Sequence, residues 1–351
     1  ILSTTGKCPA HESPCTPPPG TNTDLTDLDA NVHQPPNSWV HWVCTEDGTP
    51  AVTRASVQGL LQRLKANCTT TFPLQDALQL LRAACRGGLA SETAVREIAI
   101  PEPADGAGQM VIVGDTHGQL EDVMWILFKH GEPNSTDNVY LFNGDVADRG
   151  KQALEILLLM AMYSLSDPGS VFMNRGNHED SFLTSMYGFR DECMGKYGRD
   201  GGRRVYDLSR ELFNSLALAT VVNAGGSQRI FVVHGGLPRS GACLEDISRL
   251  DFRREVPAPP LPGEELDFFD CLWADPWSAE GVGPNPRGLH VASFGPDVTE
   301  AFLRKSSVDL VVRSHAVPGG GRGFEWHHGG RVLTVFSASN YAGRAGNLGG
   351  A

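Results

Sequence analysis

Short, unbroken apolar runs, each followed by a glycine and a cluster of polar residues, set the pattern of the central chain. Met110 to Val113, Val139 to Phe142 and Val171 to Met173 contain no polar alternation apart from a tyrosine hydroxyl. Runs of this length predict strands buried on both faces, as in a parallel sheet. They are followed by Gly114-Asp115-Thr116-His117-Gly118, by Gly144-Asp145-Val146-Ala147-Asp148-Arg149-Gly150 and by Gly176-Asn177-His178-Glu179. Asp115 and Asp145 stand 30 residues apart and Asp145 and Asn177 stand 32, each the length of one strand–helix unit. Residues 119–130 and 152–163 supply the intervening helices. Three successive strands therefore bring Asp, His, Asp, Asn and His to the carboxyl edge of a sheet, where open α/β folds bind their ligands.

Upstream the period changes. Val57, Leu60, Leu61 and Leu64, then Leu74, Leu78, Leu81 and Cys85, recur at helical spacing. Residues 39–104 are thus expected to form a helical N-terminal extension packed on the following domain, with 87–109 as a connection. Residues 1–38, rich in Pro, Ser and Thr and including Pro17-Pro18-Pro19, read as a flexible tail. Downstream, a helical stretch runs to about Ala219. Strands return near Val221, Ile230 and Val311, and a hairpin is expected around Gly329-Gly330 before Val332 to Ala338. This order predicts an α/β fold of two facing sheets with flanking helices, a four-layer α/β/β/α sandwich over residues 105–351. No internal repeat is present.

Composition narrows the class. The chain has 351 residues, 40% apolar and 20% charged, which suits a soluble globular protein. No stretch reaches the ~18 apolar residues a membrane span needs. The chain begins with Ile1 and has no signal-type apolar segment, so a fragment or processed chain is expected. A formal net charge of −12 argues against broad nucleic-acid or membrane affinity. Any phosphate bound here must be held by metals and local arginines. The eight cysteines form no C-x-x-C pair and read as reduced thiols of an intracellular protein, cytoplasmic or nuclear. Each is expected to act as a small buried hydrophobe.

Taken singly, Asp115, Asp145 or Asn177 reads as a turn or cap residue. As a set at three strand ends they read as a metal site. Carboxylate and imidazole ligands favour Mn, Fe or Zn over Ca or Mg.

The three motifs resemble the GDxHG, GDxVDRG and GNHE signatures of the PPP family of metal-dependent serine/threonine protein phosphatases, within the calcineurin-like metallophosphoesterase superfamily. The similarity continues in order through His234-Gly235-Gly236-Leu237, Leu272-Trp273-Ala274-Asp275-Pro276 and Asn285-Pro286-Arg287-Gly288. Val312-Arg313-Ser314-His315 and Phe336-Ser337-Ala338-Ser339-Asn340-Tyr341 complete it, so that it covers residues 105–351. Arg175 to Asp180 and the form of the last motif look more like the EF-hand-containing branch than the commonest branches. The chain carries no calcium loop, so a calcium-sensing module or other regulatory subunit would lie outside it. The family's fold normally continues past Tyr341 with at least one more strand, so a truncated C-terminus is expected.

The resemblance implies two metal ions bridged by Asp145. Asp115 and His117 would complete one metal; Asn177, His234 and His315 would complete the other. A metal-activated water would hydrolyse phosphoserine or phosphothreonine in protein substrates. Arg149 and Arg287 would clamp the phosphate, with Asn177 and Tyr341 also at the substrate. His178 would be the general acid, oriented by Asp148. The glycines beside the ligands are expected to leave room for a bulky substrate. Three positions depart from the family's usual pattern: Ala147 for Val, Ala316 for Glu or Gln, and Ala342 for Cys. None removes a proposed ligand. His290, His327 and His328 read as structural or surface residues. Two rival readings share part of the pattern: a metallophosphoesterase of small phosphoesters or dinucleoside polyphosphates, and a non-catalytic adaptor.

Overall fold

The apolar runs become the strands of two facing sheets. The structure is a computed structural model that describes residues 37–45, 50–103, 106, 108–259 and 261–351. The expected tail lies outside these residues except at Asn37 and Ser38.

A hairpin of β1 (Trp42–Cys44) and β2 (Pro50–Val52) comes first, with Trp42 opposite Val52. Helices α1 (Arg54–Ala66) and α2 (Leu74–Arg86) follow. The Thr53 side chain caps α1 by accepting from the Ser56 N–H, and Val57, Leu60, Leu61 and Leu64 form its buried stripe, as the spacing predicts. β3 (Val95–Ala99) occupies the stretch expected to be a plain connection. Next come β4 (Gln109–Val113), α3 (Leu120–His130), β5 (Asn138–Phe142), α4 (Ala153–Ser166) and β6 (Val171–Met173). The three strands pair in parallel in the order β4-β5-β6.

Helices α5 (Ser181–Tyr187) and α6 (Phe189–Asn214) lead to β7 (Ala219–Asn223) and β8 (Arg229–Val233). After α7 (Leu244–Ser248) and α8 (Glu264–Trp273), a small sheet forms from β9 (Asp275–Pro276), β10 (Val282–Asn285) and β11 (Gly288–Phe294). The chain then forms α9 (Pro296–Ser306), β12 (Leu310–Arg313), β13 (Phe324–His327) and β14 (Val332–Val335). A six-stranded sheet runs β13-β14-β12-β8-β7-β3, in which β8, β12 and β14 are mutually parallel. β3 pairs in parallel with β7 along its whole length. The stretch 39–104 therefore contributes to the main sheet and is not purely helical.

Alternation along the strands of the larger sheet builds two cores. Val222, Val232, Val312 and Val335 face Leu141 of β5, so the two sheets pack face to face. Val221, Phe231 and Val311 point the other way, onto Phe268 and Leu272 of α8 and Phe302 and Leu303 of α9. On the outer side of the three-stranded sheet, α4 is buried at every position from Ala153 to Leu165. It packs against β6 and against α1, α2 and α6. An all-round apolar sequence needs such an all-round enclosure. The layers are thus helix, sheet, sheet, helix, as the sequence order predicts.

A polar bridge crosses the interface between the sheets. Asn143 Nδ2 donates to the Val233 carbonyl at 2.9 Å and to Ser314 Oγ at 2.9 Å. Asn174 Nδ2 donates to Asn143 Oδ1 at 2.9 Å, and Thr220 Oγ1 donates to Asn174 Oδ1 at 2.7 Å. Fully satisfied buried networks of this kind rigidify a core and fix how its layers sit.

Among the described residues no helix is long and apolar enough to cross a membrane. The described cysteines are unpaired; Cys193 and Cys271 are buried, Cys44 is exposed, and Cys68, Cys85 and Cys243 are intermediate. The expectation that all act as buried hydrophobes therefore fails at Cys44, whose three-residue strand lies at the edge of a two-stranded hairpin. Cys8 and Cys15 lie outside the described residues.

Candidate metal centre

The carboxyl ends of six strands converge on one seam. β4 runs into Asp115 and His117, β5 into Asp145, Asp148 and Arg149, and β6 into Asn177 and His178. From the facing sheet, β8 ends at His234, β12 at His315, and β14 leads to Tyr341. The sheets meet at a parallel bridge between Asp115 and Phe336. The ligand edge read from the sequence thus belongs to two sheets.

The loops at this seam are bent hard. His117, Asp145, Asp148, Arg149 and His315 have φ of +42°, +49°, +71°, +68° and +69°. Such backbone costs about 1–3 kcal/mol per residue and persists only where the surroundings enforce it. Here the enforcement is explicit. The Thr116 and His117 N–H groups donate to the Asp145 carbonyl, and the Gly150 N–H donates to the His117 carbonyl. Glycine is required for the same reason. A Cβ on Gly144 would lie 2.5 Å from Gly176 Cα, and one on Gly176 would lie 2.3 Å from the Asp145 nitrogen. At these two positions the glycines let two loop backbones touch, rather than leaving room for substrate as the sequence suggests.

Glu179, given no role by the sequence reading, holds these loops. Its Oε2 accepts from the Asp145 N–H at 2.7 Å and the Gly176 N–H at 2.8 Å; Oε1 accepts from Val146 at 3.0 Å and Ala147 at 3.1 Å. Burial, then the neighbouring Asp145 carboxylate, push its pKa up, while the backbone donors hold the charged form. Glu179→Gln replaces one acceptor oxygen with an amide that faces donors. We expect a loss of about 3 kcal/mol in urea unfolding, the upper range for hydrogen bonds to a charged group. An unchanged urea midpoint would remove Glu179 from this role.

The proposed ligands are buried together. Each imidazole of the pair His117 and His234 has Nδ1 against a carbonyl, Ala147 O at 2.9 Å and Asn143 O at 2.8 Å. Nδ1 is therefore held as a donor in each ring, which leaves Nε2 as the nitrogen that would face a metal ion in the seam. His117 Nε2 lies 3.7 Å from Asp115 Oδ2 and 3.6 Å from Asp145 Oδ2. His234 Nε2 lies 3.3 Å from Asp145 Oδ1 and 2.9 Å from Asn177 Oδ1. Asp115 Oδ1 accepts the His315 backbone N–H at 2.9 Å. Two groups have ligand-type atoms close enough for a single ion, His117 with Asp145 and His178, and Asp145 with His234 and His315. Asp145 belongs to both, as a bridging carboxylate must. His178 in the first group has its Nδ1 committed to Asp148, which favours the acid role expected for it.

The donor set fits metal ions. His315 Nε2 is buried without any hydrogen-bond partner. Burial, and then Arg287, push the His315 pKa well down, so the ring is neutral and has a lone pair to give a metal ion. Burial together with Asp145 raises Asp115 to about 7. Burial lowers His117 to about 3; at His234 burial pulls the same way, but Asp145, Asp115 and the Asn143 carbonyl together raise it to about 9. Two carboxylates and three imidazoles are thus packed together out of water, an arrangement that a cation would relieve.

A cavity of about 470 Å³ opens over these groups, lined also by Arg149, Arg287, Tyr187, Trp273 and Tyr341. The Arg149 guanidinium lies 3.9 Å from the centre of the Tyr187 ring, and its charge acts on the Tyr341 hydroxyl. Arg287 Nε donates to Asp275 Oδ2 at 2.7 Å and Nη2 to the His315 carbonyl at 2.7 Å. Arg313, fully buried, reaches the same Asp275 carboxylate at 2.9 Å. Against burial, Arg313, His315 and Arg287 hold the Asp275 carboxyl well below the usual range. His178 Nδ1 donates to Asp148 Oδ2 at 2.6 Å, and Asp148 Oδ1 accepts the Phe189 N–H at 3.0 Å. Burial works against the imidazolium, but Asp145 and then Asp148 raise the His178 pKa. Every residue expected at the site is therefore present at it. Tyr187, Trp273 and Asp275 are additions; Trp273 and Asp275 stood within a quoted motif, whereas Tyr187 carried no signal.

Residues 109–319 match the calcineurin-like phosphoesterase family. The chain is 42% identical over 240 residues to serine/threonine-protein phosphatase T of Saccharomyces cerevisiae, covering 68% of this chain and 43% of that protein. It is 41% identical to serine/threonine-protein phosphatase rdgC of Drosophila melanogaster, covering 69% of this chain and 36% of that one. A solved protein serine/threonine phosphatase from Saccharomyces cerevisiae superposes with a TM-score of 0.73 at 33% identity, covering 83% of this chain and 87% of its own. The chain thus spans less than half the length of these two curated relatives. The similar identities do not single out one branch of the family.

Proposed function

The chain belongs to the calcineurin-like phosphoesterase family, and from that premise we propose that it hydrolyses phosphoserine and phosphothreonine in proteins with two bound metal ions. The observation that carries this reading is the seam itself. Asp145 is shared by two buried groups of ligand-type atoms, one with His117 and His178 and one with His234 and His315; Asp115 Oδ2 and Asn177 Oδ1 lie beside them, and His315 Nε2 lacks any partner. Manganese, iron and zinc suit these donors best. When bound, such ions lower the pKa of water and neutralise phosphoryl charge.

The chain's own residues do the rest. Arg149 and Arg287 flank the cavity and present guanidinium forks to phosphate oxygens. The ring of Tyr187 and the carboxylate of Asp275 hold these forks in place before substrate arrives. Asp148 accepts a hydrogen bond from His178 Nδ1–H, so Nε2 is the nitrogen that faces the reaction and protonates the departing serine or threonine oxygen. Phe182 and Met186, 68% and 64% exposed, lie on the same short helix as Tyr187. Apolar groups left in water next to a site support a peptide-sized substrate.

The test is hydrolysis of a phosphothreonine peptide by the purified chain, with and without added Mn²⁺, beside a metal assay. We expect Mn²⁺-dependent phosphate release with about two metals per chain. Release from dinucleoside polyphosphates but not from peptide would move the reading to small phosphoesters. A full metal complement without release from any phosphoester would overturn it.

A further inference from the structure

Beside the catalytic cavity lies a second one of about 760 Å³, and four arginines line it: Arg190, Arg199, Arg203 and Arg210. Its shape follows from the chain. The long helix α6 is broken at Gly198, whose φ of +69° and ψ of −179° are not helical. Arg190 and Met194 lie one turn apart on the first arm of the break. On the second arm Arg199, Arg203, Tyr206 and Arg210 recur at helical spacing on one face. The arms meet over the cavity, and α5 closes its third side with Ser181 and Ser185.

The charge is only partly compensated. Arg210 is paired with Glu255 at 2.6 Å. Arg203 meets Asp207 at 3.7 Å, with both side chains more than half exposed, a contact worth little in water. Arg190 and Arg199 have no ion pair among the described residues. Asp191 and Asp207 also line the cavity, so its net charge is positive in a chain whose formal charge is −12. Nothing in the reaction at the metal centre uses these arginines.

One helix separates the two cavities. Leu183 and Tyr187 of α5 line the catalytic side, whereas Ser181 and Ser185 line the arginine side. The third face carries the exposed Phe182 and Met186. A helix with its side chains is about 10 Å across. An extended peptide advances about 3.3 Å per residue and so crosses it in three or four residues.

We propose that this arginine cavity binds a second anionic residue of the phosphoprotein substrate, a phosphoresidue or a glutamate, about four to eight residues from the phosphothreonine in the catalytic site. The proposal rests on the protein-phosphatase reading above. Specificity would then come from a doubly anionic segment laid across Phe182 and Met186.

The experiment compares phosphothreonine peptides with neutral flanks, with phosphoserine six residues away on either side, and with glutamate there. Steady-state kinetics are measured on the wild type, on the double variant Arg199→Glu with Arg203→Glu, and on Arg204→Glu, an exposed charge control outside the cavity. We expect at least one anionic peptide to have a KM about five- to tenfold lower than the neutral one, an advantage set by two exposed ion pairs. That advantage should shrink with added salt, vanish in the double variant and persist in Arg204→Glu. The neutral peptide should be hydrolysed equally by all three proteins. Equal KM values for every peptide on the wild type, or equal losses in the double variant and the control, would overturn the proposal. Anisotropy of the same labelled peptides is measured alongside. If no peptide is hydrolysed but the anionic ones bind through Arg199 and Arg203, the phosphatase reading fails and the cavity stands.

Discussion

Asp145→Asn is expected to weaken metal binding more than about 100-fold, the range reached by removing even the outer partners of metal ligands. Both carboxylate oxygens are engaged. Oδ1 accepts the His178 N–H at 2.9 Å and lies 3.3 Å from His234 Nε2, while Oδ2 faces His117. Asn keeps the shape of the side chain, but one donor atom becomes an amide without a free lone pair, and the charge shared by the two ion positions is lost. Metal content after dialysis reads the effect directly. A second reading comes from heat: Mn²⁺ should raise the melting temperature of the wild type and leave that of the variant unchanged. A variant that keeps two metals per chain would show that Asp145 does not bridge them.

His178→Asn separates chemistry from metal binding. General acid–base groups contribute about 10²–10⁴-fold to rate. The variant should retain its metals and hydrolyse a phosphothreonine peptide about a thousandfold more slowly. An aryl phosphate, whose leaving group needs no proton, should lose far less. The backbone N–H of residue 178 still reaches Asp145, so the loop is undisturbed. Equal losses on the two substrates would assign His178 to structure and leave the leaving group to another acid.

The strands that carry this site were legible because they are buried on both faces. β4, β5 and β6 match the predicted runs to within a residue. The ligands other than His315 were legible because each stands beside a glycine where another backbone comes close. β3 was missed because Val95-Arg-Glu-Ile-Ala mixes charge with apolar residues at the edge of its sheet. The small sheet of β9 to β11 was missed for a similar reason: Gly288, Leu289 and His290 of β11 are exposed, and only its second half is buried. Within the site, the supporting residues were hidden more deeply. Glu179 acts on backbone more than 30 residues upstream, and Tyr187 acts through the face of its ring on Arg149. Neither role leaves a periodic trace, because each is created by the fold that brings distant loops together.

The seam between the two sheets also sets when the centre can form. Asp115, Asp145 and Asn177 come from the first sheet, whereas His234 and His315 come from strands made much later in the chain. A growing polypeptide completes the Asp115–His117–Asp145 corner early and stays one imidazole short at its neighbour until His315 has emerged and β12 has docked. On the proposed two-metal reading, loading of the second ion would report that synthesis has passed residue 315 and that both sheets have closed on each other.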